Sequence, residues 1–82
     1  MKKAQRPSVG RILHYWTWEG ERLIPNPAIV LAIAEDGGRL WLQVFYAAGA
    51  GGRDQVWAPP GPWSDGGVHV PTEGHWTWPL RV

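Results

Sequence analysis

The sequence predicts an all-β fold: a small SH3-like or related barrel of five or six strands with little or no helix. Three observations predict it. Apolar and aromatic segments have the length of strands, glycines and prolines separate them, and no 3.6-residue period extends over a useful length. The 82 residues include 11 glycines and 8 prolines, a composition that suits short strands joined by tight turns.

The first predicted strand is "VGRILHYWTW" (Val9–Trp18), which is rich in β-branched and aromatic residues. Residues 1–7, which hold three basic side chains, are expected to form a disordered basic tail, and residues 8–82 a single domain. Side chains alternate between the two faces of a strand. One face of this strand therefore carries Ile12, His14, Trp16 and Trp18.

A central β-hairpin is predicted from Asp36-Gly37, which lies between two apolar segments. Ala28–Glu35 precedes this turn and Arg39–Ala47 follows it. The three alanines of Ala28–Glu35 would also suit a helix. The strand is favoured because the segment has only eight residues before the turn.

The remaining connections and strands are shorter. A turn is predicted at Glu19–Arg22, and Leu23–Pro27 is predicted to be irregular because its prolines cannot donate to a β-ladder. Ala48–Asp54 is read as a loop and Pro59–Gly67 as irregular chain. The further predicted strands are Gln55–Ala58, a brief Val68–Val70, and an edge strand at His75–Val82.

Seven tryptophans are present, and four of them form two Trp-Thr-Trp units near the two ends of the chain. First and last strands of small barrels are often neighbours, so we expect the two units to lie side by side. Cross-strand aromatic pairs are stabilising in themselves. The units therefore form either a purely structural contact that closes the sheet or a surface that binds a ligand.

Charge and composition exclude several classes of function. There is no cysteine, and the net charge of +1 becomes −2 once the basic tail is set aside. Duplex nucleic-acid binding is not expected, because it needs a basic excess. No apolar segment has the length of a membrane span, and the absence of cysteine fits a cytoplasmic location.

Catalysis is not predicted. Ser8 and Ser64 are the only serines, no two of the three histidines have metal-ligand spacing, and no pair of carboxylates suggests acid–base chemistry. We expect no enzyme, no cofactor and no metal. The glycine-rich segment before Arg53 would suit a phosphate, although a plain flexible hairpin loop is the favoured interpretation.

The segments "VGRILHY" (Val9–Tyr15) and "GHWTWP" (Gly74–Pro79), with "AIV" and "LQVF" between them, resemble a family of small uncharacterised proteins of tailed bacteriophages, especially those of actinobacteria. Members of that family more often end with Thr-Trp-His-Trp, whereas this chain has His75-Trp76-Thr77-Trp78. The resemblance implies a phage context and no particular activity.

Binding remains as the expected function. Indole rings stack on planar bases, and arginine guanidinium groups hold phosphates. The sequence therefore suggests a phage protein that sequesters a nucleotide-type immune signal of the host, such as a cyclic oligonucleotide or an ADP-ribose derivative. The alternative is a virion or assembly component that acts through aromatic protein contacts. The expected ligand-binding residues are Arg11, His14, Trp16, Trp18, Arg53, His75, Trp76, Trp78 and Arg81.

A homo-oligomer, a dimer or a tetramer, is also expected. Both faces of the predicted strands are largely apolar, and a domain of this length has too small an interior for all seven tryptophans.

Overall fold

The computed structural model describes residues 7–36, 38–47, 52–62 and 70–79. Within these ranges the protein is all-β, as predicted, and its five strands form one antiparallel sheet. The strands are β1 (Ile12–Glu19), β2 (Arg22–Ile33), β3 (Leu40–Phe45), β4 (Arg53–Ala58) and β5 (Trp76–Thr77). Their order in the sheet is β4-β3-β2-β1-β5. The first and last strands are therefore neighbours, as the sequence predicted.

The sheet is barrel-like without being closed. β4 and β5 are its two edges, and no ladder of hydrogen bonds joins them within the described ranges. The chain that leaves β4 spans part of the gap, because Pro60 forms an isolated parallel bridge with Trp76. The Trp76 N–H donates to the Pro59 carbonyl at 3.0 Å, and the Gly61 N–H donates to the Trp76 carbonyl at 2.8 Å.

The prediction for Leu23–Pro27 was wrong, because this segment belongs to the twelve-residue strand β2. Pro25 lies opposite Trp16, and Pro27 lies opposite His14. The Val30 N–H donates to the Arg11 carbonyl. The backbone N–H groups of the even-numbered residues of β2 therefore point toward β1. The two prolines face the other side, where β3 pairs only from Ala28 onward. Neither proline therefore interrupts the β1–β2 ladder.

The central hairpin is confirmed, and the helical alternative for its first strand is excluded. Ala28 pairs with Val44 and Ile33 with Leu40, with a register shift between Val30 and Ala32. Asp36 organises the turn, because its Oδ1 accepts the N–H groups of Gly38 at 2.8 Å and Arg39 at 3.0 Å. These two hydrogen bonds lower the pKa of the Asp36 carboxyl.

β4 begins two residues earlier than predicted. Arg53 pairs with Phe45 and Asp54 with Val44, so both residues belong to the strand rather than to the loop. The Tyr46 N–H also donates to the Gly52 carbonyl at 2.8 Å. The hydrogen bonds of the β3–β4 pair thus continue up to the end of the loop.

Two similar turns lead into β1 and β5. The Arg11 N–H donates to the Ser8 carbonyl and the His75 N–H to the Thr72 carbonyl, each at 3.1 Å. In each turn the third residue is a glycine with positive φ, 92° at Gly10 and 77° at Gly74. Each glycine N–H then donates to the neighbouring strand, which is the pattern of a bulge with glycine in the left-handed region.

The core lies on one face of the sheet. Its fully or almost fully buried members are Leu13, Ala28, Val30, Leu40, Leu42, Val44, Ala58 and Trp76. Asn26 is also buried, and its polar atoms are satisfied. Its Nδ2 donates to the Tyr15 carbonyl and to Thr17 Oγ1, and its Oδ1 accepts the Ala47 N–H.

Some predictions lie outside the described residues. They concern the basic tail up to residue 6, residues 48–51 of the predicted loop, residues 63–69 with the start of the predicted Val68–Val70 strand, and residues 80–82 with Arg81.

Candidate functional site

The two Trp-Thr-Trp units lie side by side, but their tryptophans lie on opposite faces of the sheet. His14 pairs with Thr77, and Tyr15 pairs with Trp76. Directly opposed residues of an antiparallel pair share a face of the sheet. Thr77 therefore lies on the outer face with the tryptophans of β1, whereas Trp76 lies on the core face. The four indole rings do not form one cluster.

On the outer face, Trp16 joins the two units. Its Nε1 donates to Thr77 Oγ1 at 2.8 Å, and its ring meets the His14 ring edge-on with centroids 6.1 Å apart. Thr77 is buried and Trp16 half-buried. Partial burial also lowers the pKa of His14 below its usual value, because it disfavours the charged imidazolium.

On the other face, Trp76 is a core residue, although the sequence suggested it for ligand binding. Its side chain is 3% exposed, and its Nε1 donates to the Gly38 carbonyl at 2.9 Å. The ring meets Trp78 edge-on with centroids 5.8 Å apart. A ring buried in this way has no face available for stacking on a base. Trp76 therefore contributes by packing against Trp78 from the core.

Arg11 and Trp78 form the first candidate site. The Arg11 guanidinium lies over the Trp78 ring, 5.3 Å from its centroid. Trp78 is half-buried against the core, whereas Arg11 is exposed. Within the described part of the chain Arg11 forms no ion pair with a carboxylate. The indole face thus holds a guanidinium whose N–H edge remains available.

A second arginine–tryptophan pair was missed by the sequence reasoning. The Arg39 guanidinium lies 5.6 Å from the centroid of Trp57, and Trp57 packs against Trp41 with centroids 5.3 Å apart. Trp41 and Trp57 are directly opposite in the β3–β4 register. The β3–β4 register, together with the alternation of side chains along each strand, would have identified Trp41 and Trp57 as neighbours. Arg39 differs from Arg11 in its acidic neighbour, because Asp36 lies close enough for the Arg39 charge to lower its pKa.

The other predicted site residues are dispersed. Arg53 lies on β4, at the opposite edge of the sheet from β5. The His75 Nδ1 lies 2.8 Å from the Glu73 carbonyl oxygen, so this ring is engaged within its own turn. Trp18 is 59% exposed near the far end of β1. Arg81 lies outside the described residues.

Trp18 borders an open cleft of about 280 Å³. The cleft is lined by Thr17, Trp18, Glu19, Ile24, Asn26 and Tyr46. Of these only Trp18 was expected from the sequence. The others come from β1, from β2 and from the residue that follows β3, and no local motif marks them.

The described ranges contain no group of three or more His, Asp or Glu side chains arranged to hold a metal ion. They also contain no helix long and apolar enough to cross a membrane.

The fold and the two arginine–tryptophan pairs define a small all-β protein with aromatic and cationic surface groups. No protein-family model matches the sequence, and neither the curated proteins nor the solved structures yield a match.

Proposed function

We propose that the protein is a non-catalytic binding protein that sequesters a nucleotide-type ligand, with Arg11 holding a phosphate. The observation that carries the proposal is the Arg11 guanidinium, held over the Trp78 ring at 5.3 Å and without a carboxylate partner in the described ranges. Guanidinium groups bind phosphate through paired N–H donors. An indole beneath the guanidinium fixes its plane before the ligand arrives, which lowers the entropy cost of binding.

The surroundings of Arg11 suit the rest of such a ligand. Val9, which lies two positions before Arg11 in the chain, is a large apolar side chain that is 66% exposed. A nucleobase packed against apolar and aromatic side chains is removed from water while its phosphate remains on the guanidinium. The combination of a cation and apolar groups binds a nucleotide without cleaving it.

The ligand class we propose is an immune signal of the host, a cyclic oligonucleotide or an ADP-ribose derivative, bound in the cytoplasm of a phage-infected cell. The phage resemblance of the two terminal motifs supports this context. We also propose that the protein acts as a homo-oligomer, because large apolar side chains such as Ile12, Trp18 and Trp57 are exposed on a single chain.

The test is calorimetric titration of the protein with cyclic dinucleotides, cyclic trinucleotides and ADP-ribose derivatives. We expect at least one of them to bind, and Arg11→Ala to weaken binding roughly 10- to 150-fold, as expected for a charge-assisted hydrogen bond. Arg39→Ala is the matched control, since it removes a guanidinium that also lies over an indole. The proposal fails if no nucleotide binds, or if the two variants weaken binding equally.

A second candidate function, a virion or assembly component, is favoured by the outer face of β1 and β2. Three directly opposed pairs on this face are apolar: Ile12 with Ile29, Trp16 with Pro25, and Trp18 with Leu23. Such a strip is uncharged and repeats along two strands, so it suits a second copy of the same strip. Light scattering of the wild type and of Ile12→Lys tests it. A mass of one chain for the wild type contradicts self-association, and absence from purified particles contradicts a virion role.

A further inference from the structure

Two edges of the sheet are already closed to an incoming strand. At β5, the Trp76 N–H and carbonyl are both bonded to the chain at 59–61. In β2, the segment ahead of its pairing with β3 carries Pro25 and Pro27, which have no N–H to offer on that side. Such protection matters because an edge with free backbone groups pairs readily with another chain. β4 is an edge of six residues, and within the described ranges it has neither protection.

The backbone groups of β4 alternate between facing β3 and facing outward. The Tyr46 N–H donates to the Gly52 carbonyl at 2.8 Å, so the backbone groups of Gly52 face β3. Those of successive residues in a strand point in opposite directions. The even-numbered residues of β4 therefore continue the ladder with β3, and the groups that point away from the sheet belong to Arg53, Gln55 and Trp57.

The Asp54 carboxylate occupies the middle of this outward-facing row. Its Oδ1 accepts the Gln55 N–H at 2.8 Å, and its Oδ2 accepts the Tyr46 hydroxyl at 3.4 Å. The N–H groups of Arg53 and Trp57, on either side, have no acceptor in the described ranges. An incoming strand would therefore find the central donor of β4 already used. Its own carbonyl oxygen would approach a carboxylate, which repels it.

Apart from this carboxylate, β4 is complementary to a second copy of itself. In an antiparallel pair centred on Gln55, the outward-pointing residues of the two copies are directly opposed, so their backbones can exchange hydrogen bonds. Arg53 would then lie opposite Trp57 of the second copy, and Asp54 opposite Val56. This alignment opposes no two like charges, whereas an alignment centred on Asp54 would oppose two carboxylates, which is destabilising.

We propose that the Asp54 carboxylate prevents strand addition at the β4 edge, and that the strand it excludes is β4 of a second copy. Charged side chains on an edge strand are a known protection against such pairing. The inference goes beyond the proposed nucleotide function, since β4 lies at the opposite edge of the sheet from β5. It also implies that the proposed homo-oligomer forms through a face of the sheet rather than through this edge.

Sedimentation velocity of Asp54→Ala and of the wild type over a range of protein concentrations tests the proposal. The variant should form larger species than the wild type, at concentrations at least about 5-fold lower, the factor expected for one additional hydrogen bond. Amide hydrogen exchange identifies the surface, because the Arg53 and Trp57 N–H groups should exchange more slowly in the associated variant. Adding Gln55→Pro should restore the wild-type mass, since it removes an outward N–H that the β3–β4 ladder does not use.

Two further variants separate the edge from a general loss of charge or of stability. Asp54→Asn retains an acceptor oxygen without the charge, so it should associate to an intermediate extent, and it replaces Asp54→Ala if that variant does not fold. Glu21→Ala removes an exposed carboxylate from the turn between β1 and β2 and should sediment as the wild type does.

The proposal is overturned if neither Asp54 variant associates more than the wild type, or if Glu21→Ala associates as much. It is also overturned if the Arg53 and Trp57 amides stay unprotected in the associated variant, or if Gln55→Pro does not reverse the association. Arg11→Ala should sediment as the wild type does, so a failure here and a failure of the nucleotide proposal are separate results.

Discussion

The indole Nε1 of Trp16 donates a 2.8 Å hydrogen bond to Oγ1 of Thr77, 61 positions further along the chain. It connects the two Trp-Thr-Trp units through side chains. Beside it, the Trp16 backbone N–H donates to the His75 carbonyl at 3.1 Å. β5 is a strand of only two residues, so this side-chain bond is a substantial part of what holds the C-terminal segment to the sheet.

Replacing Thr77 by valine should therefore destabilise the fold. The change keeps the shape of the side chain but leaves the half-buried Trp16 N–H without its acceptor, which costs about 1–2 kcal/mol. The midpoint of thermal unfolding should fall by roughly 4–8 °C for each kcal/mol. Thr72→Val is the matched control, since the Thr72 hydroxyl donates to the Val70 carbonyl at an exposed position. Equal losses in the two variants would show that the Trp16–Thr77 bond has no special weight.

Tryptophans of the two units should differ in what they contribute to stability. Trp76→Ala removes a ring that is 3% exposed and should cost about 3–5 kcal/mol of unfolding free energy. Trp18→Ala removes a ring that is 59% exposed and should cost less than about 1 kcal/mol. Urea unfolding followed by far-ultraviolet circular dichroism measures both. A large loss for Trp18→Ala would contradict its placement at the rim of the cleft.

Substitution of the glycines in the two bulges should destabilise the fold because of their backbone conformation. Gly10 and Gly74 have positive φ, and a Cβ at either position would meet nothing within 4 Å. Alanine there should thus cost about 1–2 kcal/mol from backbone strain alone. Gly52→Ala is the control: its φ is outside the positive range, and its Cβ would lie 3.8 Å from the Tyr46 ring. Thermal unfolding of the three variants should rank Gly52→Ala as the most stable.

Stability should fall as pH drops from about 7.5 to 5, with His14 contributing. Burial lowers the folded-state pKa of His14 below its ordinary value of 6.5, so the unfolded state binds more protons in this range. The contribution of the neutral ring is present above the unfolded pKa and is lost as pH falls through the folded pKa.

Thermal unfolding of the wild type and of His14→Gln across this range measures the effect. The glutamine variant should show a smaller fall in stability toward pH 5. Asp36 does not interfere, because its pKa is lowered from an ordinary value of 3.8, so it titrates below the range. Identical pH dependence in the two proteins would exclude His14 as a contributor.

Local patterns were sufficient for much of the fold. Asp36 between two apolar segments predicted the central hairpin, because a short carboxylate that can accept two backbone N–H groups favours that turn. Pro25 and Pro27 were misleading. Whether a proline is tolerated depends on which neighbouring strand its missing N–H would face. That strand can be identified only from the structure, in which β3 pairs with β2 from Ala28 onward.

For the candidate site, the sequence by itself determined that Trp16, Trp18, Trp76 and Trp78 would form two units, each with its rings on one face. Only the tertiary structure decided which face. The pairing of His14 with Thr77 rather than with Trp76 places one unit outside and the other inside. A shift of one residue would exchange the faces. The choice depends on long-range contacts, such as that of the Trp76 indole with the Gly38 carbonyl, and no neighbouring residue along the chain encodes them.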